Sequence, residues 1–142
     1  MNCLSRCARV FCASLLLVTL AACGRQDTTT TKATDSTTSI APADGSPRIA
    51  NSTDGVHIQY RVYGHGEPTL VFVHGWSCDS SYWNAQVEAF RKNYTVVTVD
   101  LAGHGASGRN RTNWTMANYG ADVAAAVKDL PSKQLILVGH SM

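Results

Sequence analysis

Residues 135–142 read LILVGHSM. Four apolar residues run without alternation into Gly139, His140, Ser141 and Met142. Such a run reads as a β-strand covered on both faces, the kind found in parallel sheets. It leaves through a single glycine, with a serine two residues on. A strand that turns sharply into a helix at GxSxG exposes its serine on a strained backbone, and small flanking residues let the chain fold back without clashes. Spacing alone does not select this serine, because GxS occurs three times: Gly75 with Ser77, Gly105 with Ser107, and Gly139 with Ser141. Ser107 sits in the polar, glycine-rich stretch GHGASGRNR, with no strand directly before it and no helix directly after. Ser77 follows a strand but stands beyond His74 and Gly75, with Asp79 in place of a second glycine. Ser141 is the one that leaves a purely apolar strand through a single glycine.

Working outward, VHIQYRVYG (56–64) alternates Val56, Ile58, Tyr60 and Val62 with His57, Gln59 and Arg61. That period of two predicts a strand with one buried face, in an antiparallel part of a sheet. Gly64 to Pro68 is a turn. TLVFVHG (69–75) and YTVVTVD (94–100) are continuous apolar runs and predict two further buried strands. Between them, Tyr82 to Asn93 carries Trp83, Val87 and Phe90 at helical spacing, with polar residues over much of the remaining surface. Thr115 to Leu130 places Met116, Tyr119, Val123, Val127 and Leu130 on one stripe, and Pro131 closes it. Alternating strand and helix predicts an α/β fold: a mostly parallel sheet with flanking helices and right-handed crossovers. Ligands of such sheets bind outside the carboxyl ends of the strands. HGW, Asp100 with AGHG, and GHSM each close one buried strand, so all three converge on one edge. Acyl transfer needs that arrangement: a serine in one loop and a backbone N–H from a neighbouring loop, aimed at one carbonyl.

These three motifs, VHGWSCDSSYW, VDLAGHGASG and LVGHSM, stand in an order and spacing that resemble the N-terminal half of an α/β hydrolase fold domain. The resemblance implies that Ser141 is the nucleophile and that the backbone N–H groups of Trp76 and Met142 form the oxyanion hole. It implies that His74 and Gly75 shape the oxyanion loop, with the imidazole hydrogen-bonded inside the fold, and that the loop holding Asp100 and His104 is structural. It also implies a small-molecule ester, lactone or similar carbonyl substrate and no cofactor. Branches of the fold that open epoxides or remove halides use aspartate where Ser141 stands; perhydrolases and carbon–carbon hydrolases use serine. In this family the acid and the histidine of the triad follow the nucleophile, and so does the second glycine. None of them lies within the 142 residues. The expectation is therefore an α/β hydrolase fold truncated after the nucleophile strand, unstable and inactive by itself, with an apolar edge at 135–139. The five histidines show no metal-ligand spacing, so no metal is expected.

The first 47 residues have a different texture. Arg6 and Arg9 precede an apolar run from Val10 to Ala22, the pattern of a cleaved export signal over residues 1–22 and too short for a membrane span. Leu20, Ala21, Ala22 and Cys23 resemble the lipobox of bacterial lipoproteins. That resemblance implies a lipidated Cys23 that attaches the protein to a membrane of the cell envelope, and Gly24 after it favours the outer membrane. Residues 23–47, rich in Thr, Ser, Asp and Ala, cannot bury enough surface to offset their ordering entropy and read as a disordered tether. The folded domain is expected over 48–142. Four of the five cysteines lie at or before position 23, which leaves Cys78 without a disulfide partner. Removing residues 1–22 takes away two of the twelve Lys and Arg and none of the ten Asp and Glu, leaving no net charge to attract nucleic acid. A second reading keeps the fold without the triad, as a non-catalytic cell-envelope binding lipoprotein.

Overall fold

The computed structural model describes residues 43–141. The export signal read at 1–22, Cys23, the tether up to residue 42, and Met142 lie outside the described residues. Five strands form one sheet in the order β1-β2-β4-β3-β5. They are β1 (Asp44–Asn51), β2 (His57–Tyr63), β3 (Thr69–Val73), β4 (Val96–Val99) and β5 (Leu135–Gly139). β2 runs antiparallel to both β1 and β4, while β3 is parallel to β4 on one side and to β5 on the other. The alternating stretch thus lies in an antiparallel part, as its period implies, and the sheet as a whole is mixed.

Continuous apolar sequence becomes two cores because successive residues of a strand face opposite ways. Val71, Val97 and Val99 join Ile58 and Val62 on one face, where helix α2 (Met116–Val127) packs Tyr119 and Ala126 against them. Leu70, Phe72 and Val96 point to the other face and meet Trp83 and Val87. Trp83 ends a 3-10 turn (Ser80–Trp83), and Val87 lies in helix α1 (Asn84–Phe90). The helix predicted from Tyr82 to Asn93 is thus shorter and begins as a tighter turn. Asp79 caps that turn, accepting the Ser81 N–H at 2.9 Å. Thr115 caps α2 in the same way, accepting the Asn118 N–H at 3.2 Å. Each such cap contributes about 1 kcal/mol.

The start of the folded domain differs from the sequence reading. β1 begins at Asp44, so residues 44–47, assigned to the tether, belong to the sheet. Their Asp, Gly, Ser and Pro carry no apolar signal because β1 is an edge strand with little to bury. Pro47 is tolerated at an edge, and its pairing with Arg61 follows an irregularity in the register after Asp44. Arg61 Nη1 secures the segment by donating to the Gly45 carbonyl at 2.7 Å. At the opposite edge β5 pairs only with β3 among the described residues, and its Leu135, Ile136 and Leu137 are exposed. That is the apolar edge expected at 135–139.

Candidate active site

The carboxyl ends of β3, β4 and β5 supply the three loops that converge. β3 passes into His74 and Gly75, both buried, and then into Trp76 and Ser77, both exposed. His74 bridges two of the loops. The Leu101 N–H beyond β4 donates to its Nε2 at 3.1 Å, and its Nδ1 lies 2.8 Å from the Gly75 carbonyl. Only a hydrogen on Nδ1 satisfies both contacts, so the ring is the neutral Nδ1–H tautomer, donating to Gly75. Burial pushes its pKa below the ordinary histidine value, the Gly75 bond opposing in part and His104 adding to the depression.

β5 ends at Gly139, and the His140 N–H extends the ladder by donating to the Val73 carbonyl at 3.1 Å. Ser141 then adopts φ +66°, the left-handed region that side-chain-bearing residues occupy at a cost of about 1–3 kcal/mol. It is exposed and makes no hydrogen bond among the described residues. Gly75 lies directly against it. A Cβ on Gly75 would stand 2.8 Å from both the Ser141 Cβ and the His140 carbonyl oxygen, so only glycine permits the approach. Close backbone contact between the two loops therefore depends on one missing methyl group. The Trp76 N–H, one residue on, has no hydrogen-bond partner among the described residues. Met142, the second expected donor, lies outside them.

The other two GxS serines have different surroundings. Ser107 is buried, accepts the Gln59 N–H at 2.8 Å and donates to the Asp100 carbonyl at 2.6 Å. Its hydroxyl is consumed by structure. Ser77 is exposed and also has positive φ, +57°, but it stands four residues past the end of β3. Asp100 does not face His104 as an acid beside a base. Its carboxylate accepts the Ser80 N–H at 2.7 Å, the Ala106 N–H at 3.0 Å and the Gln59 side-chain amide at 3.4 Å. His104 Nδ1 lies 3.0 Å from the Ala102 carbonyl and donates to it. The His140 ring stacks on Tyr82, centroids 4.7 Å apart. No hydrogen bond joins Ser141 to a base among the described residues, and no group of three or more His, Cys, Asp or Glu there is arranged to hold a metal ion.

Sequence reasoning missed Arg111. Its side chain is 1% exposed and forms ion pairs at 2.6 Å with both Asp54, at the β1–β2 turn, and Asp122, in α2. The two carboxylates hold its pKa above the ordinary arginine value, Asp122 most strongly. A lone Arg in a polar loop gives no sequence signal of burial; only Asp122, an acid beside the apolar stripe of α2, hints at a buried partner.

A mixed α/β sheet whose parallel strands deliver a left-handed serine against a glycine loop defines a hydrolase-type fold. The chain belongs to the alpha/beta hydrolase family, whose pattern matches residues 70–142. It is 36% identical over 94 residues to a non-heme haloperoxidase of Rhodococcus erythropolis, covering 66% of this chain and 34% of that protein. It is 40% identical over 90 residues to a bifunctional esterase/perhydrolase of Acinetobacter calcoaceticus, covering 62% and 33%. Among solved structures, a bromoperoxidase from Bacillus anthracis superposes with a TM-score of 0.63 at 28% identity, covering 68% of this chain and 36% of that one. The chain spans about a third of the length of the curated relatives it matches.

Proposed function

We propose that the protein is a serine hydrolase acting on an ester, lactone or similar carbonyl compound, with Ser141 as nucleophile. The observation that carries this reading is Ser141 itself: exposed, unpartnered, at φ +66°, and seated against Gly75 at the end of a parallel strand. Ser141 Oγ attacks the carbonyl carbon, and the Trp76 N–H, with that of Met142, receives the oxyanion. Loss of one such donor costs about 2.7–4 kcal/mol of transition-state stabilisation. The proton leaves to a histidine held by an acid, both supplied from outside residues 43–141. An aliphatic hydroxyl is too weak a nucleophile without such a base. His74 is not that base, because both its ring nitrogens are engaged. The esterase/perhydrolase among the relatives supports carbonyl chemistry of this kind.

Cys23, read as a lipobox cysteine, is proposed to carry the acyl chains that anchor the protein in the cell envelope, its tether letting the domain stand clear of the membrane. Metabolic labelling with a palmitate analogue, lost in Cys23→Ser, tests that part by itself.

The catalytic reading is tested with a fluorophosphonate probe on a protein that carries Ser141 together with the histidine and acid that complete the site. Labelling is expected on Ser141, abolished in Ser141→Ala and retained in Ser107→Ala and Ser77→Ala. Labelling that survives Ser141→Ala, or a protein that carries the histidine and acid and still never labels, overturns the reading; the latter favours the non-catalytic binding lipoprotein.

A further inference from the structure

The loops after β3 and β4 depart to opposite faces of the sheet, one to α1 and the other to α2. A crevice opens where such paths part, and ligands of open α/β sheets settle there. Here it is a cleft of about 500 Å³, lined by Trp76 and Ser77 from the first loop and by Gly103, His104, Arg109 and Trp114 from the second, with Tyr119 of α2. That volume is within the usual range for small-molecule sites.

The walls are aromatic and held in place. Trp76 is 66% exposed, far more than a residue of its type needs to be, and sets its ring edge-on to His104 at 5.4 Å. Trp114, also exposed, lies 6.2 Å from the Tyr119 ring and against Gly103, where a Cβ would come within 3.0 Å of the indole. The buried Arg111 guanidinium sits 5.7 Å from both the Trp114 and the Tyr119 ring centroids and is itself fixed by Asp54 and Asp122. A cleft braced in this way loses little entropy when a flat ligand enters.

The charge in the cleft has one sign. Among the described residues no Asp or Glu lines it. Arg109 is exposed and forms no ion pair among the described residues, although Arg111, two residues on, is paired twice. An arginine fork left open in a cleft that Trp76, Trp114 and Tyr119 also line matches a carboxylate carried on an apolar or aromatic body.

We propose that this cleft binds a carboxylate-bearing aromatic or apolar group, with Arg109 taking the carboxylate and Trp76 and Trp114 flanking the body. Trp76, which lines the cleft, directly follows Gly75, which touches Ser141. Resting on the serine-hydrolase reading, the substrate class is then an ester or lactone with a free carboxylate on its apolar portion.

Binding is tested apart from catalysis, in the Ser141→Ala variant of the full chain, by titrating phenylacetate and its neutral counterpart phenylacetamide and following indole fluorescence. Phenylacetate is expected to bind about tenfold more tightly than the amide, the size of one exposed charge-assisted contact, and to weaken with added salt. Arg109→Gln removes the difference and leaves amide binding unchanged; Arg109→Lys keeps part of it. Trp114→Phe reduces the fluorescence response for both ligands. Equal affinity for acid and amide, or an Arg109→Gln variant with the difference intact, overturns the proposal. Because Ser141 is absent from this assay, its outcome is independent of whether the serine is catalytic.

Discussion

Ser107 and Ser141 share the pattern glycine, one residue, serine, and the fold treats them in opposite ways. Ser107 is 6% exposed and spends both hydrogen-bonding roles on the backbone of β2 and of Asp100, just past β4. Ser141 is exposed, bonded to nothing among the described residues, and held at positive φ. A structural serine is stabilised by satisfying its hydroxyl. A reactive one needs the hydroxyl left free, and its strained backbone is offset by the sheet that delivers it. The difference is one of surroundings rather than of local sequence.

The contrast can be broken most severely from the Ser107 side. Arg111 anchors the far end of that loop. Arg111→Ala leaves Asp122, fully buried, without its charge partner and with only the Ala102 N–H still donating to it, and is expected to cost about 3–5 kcal/mol of stability, read as a lowered urea midpoint. Ser107→Ala should cost about 1–3 kcal/mol, because the Gln59 N–H and the Asp100 carbonyl lose their partner in a largely buried setting, while leaving fluorophosphonate labelling in place. At the Ser141 turn the same type of change has the opposite balance. Ser141→Gly relieves the positive φ but frees the unfolded chain, so stability should shift by at most about 1 kcal/mol, while labelling disappears.

His74 ties the Gly75 loop to the β4 loop and offers a pH probe of the same contrast. Its folded pKa lies below the ordinary value of 6.5. The unfolded chain therefore takes up the proton first as pH falls. The stability His74 contributes is present above about pH 6.5 and is lost as pH drops towards the depressed folded value. Protonation would also cost Nε2 its role as acceptor for the Leu101 N–H. His74→Gln is expected to flatten the fall in urea midpoint over that range; an unchanged slope would show that other groups carry it.

Much of the fold is legible because its signals are local. The apolar runs at 69–73, 96–99 and 135–139 and the helical stripe at 116–127 mark elements that the structure contains. The α/β hydrolase class follows from the three motifs at the strand ends. The N-terminal edge was not legible. Residues 44–47 look like linker because an edge strand needs backbone pairing and little apolar surface. Residues 135–137 carry the pattern of a strand covered on both faces, and their exposure follows from the apolar edge expected at 135–139. Nor does composition indicate that Arg111 is enclosed while Arg109 is open, since the two stand two residues apart in one polar loop.

The sequence by itself determined where strands and helices form and which serine leaves an apolar strand through a single glycine, because periodicity and turn chemistry act over a few residues. Only the tertiary structure decided which hydroxyls are consumed, which arginine is paired, and that Gly75 touches Ser141. Those outcomes depend on contacts between residues far apart in the chain: the β1–β2 turn and α2 enclose Arg111, β2 and the end of β4 occupy Ser107, and the crossover that returns β5 to the side of β3 brings Ser141 to Gly75.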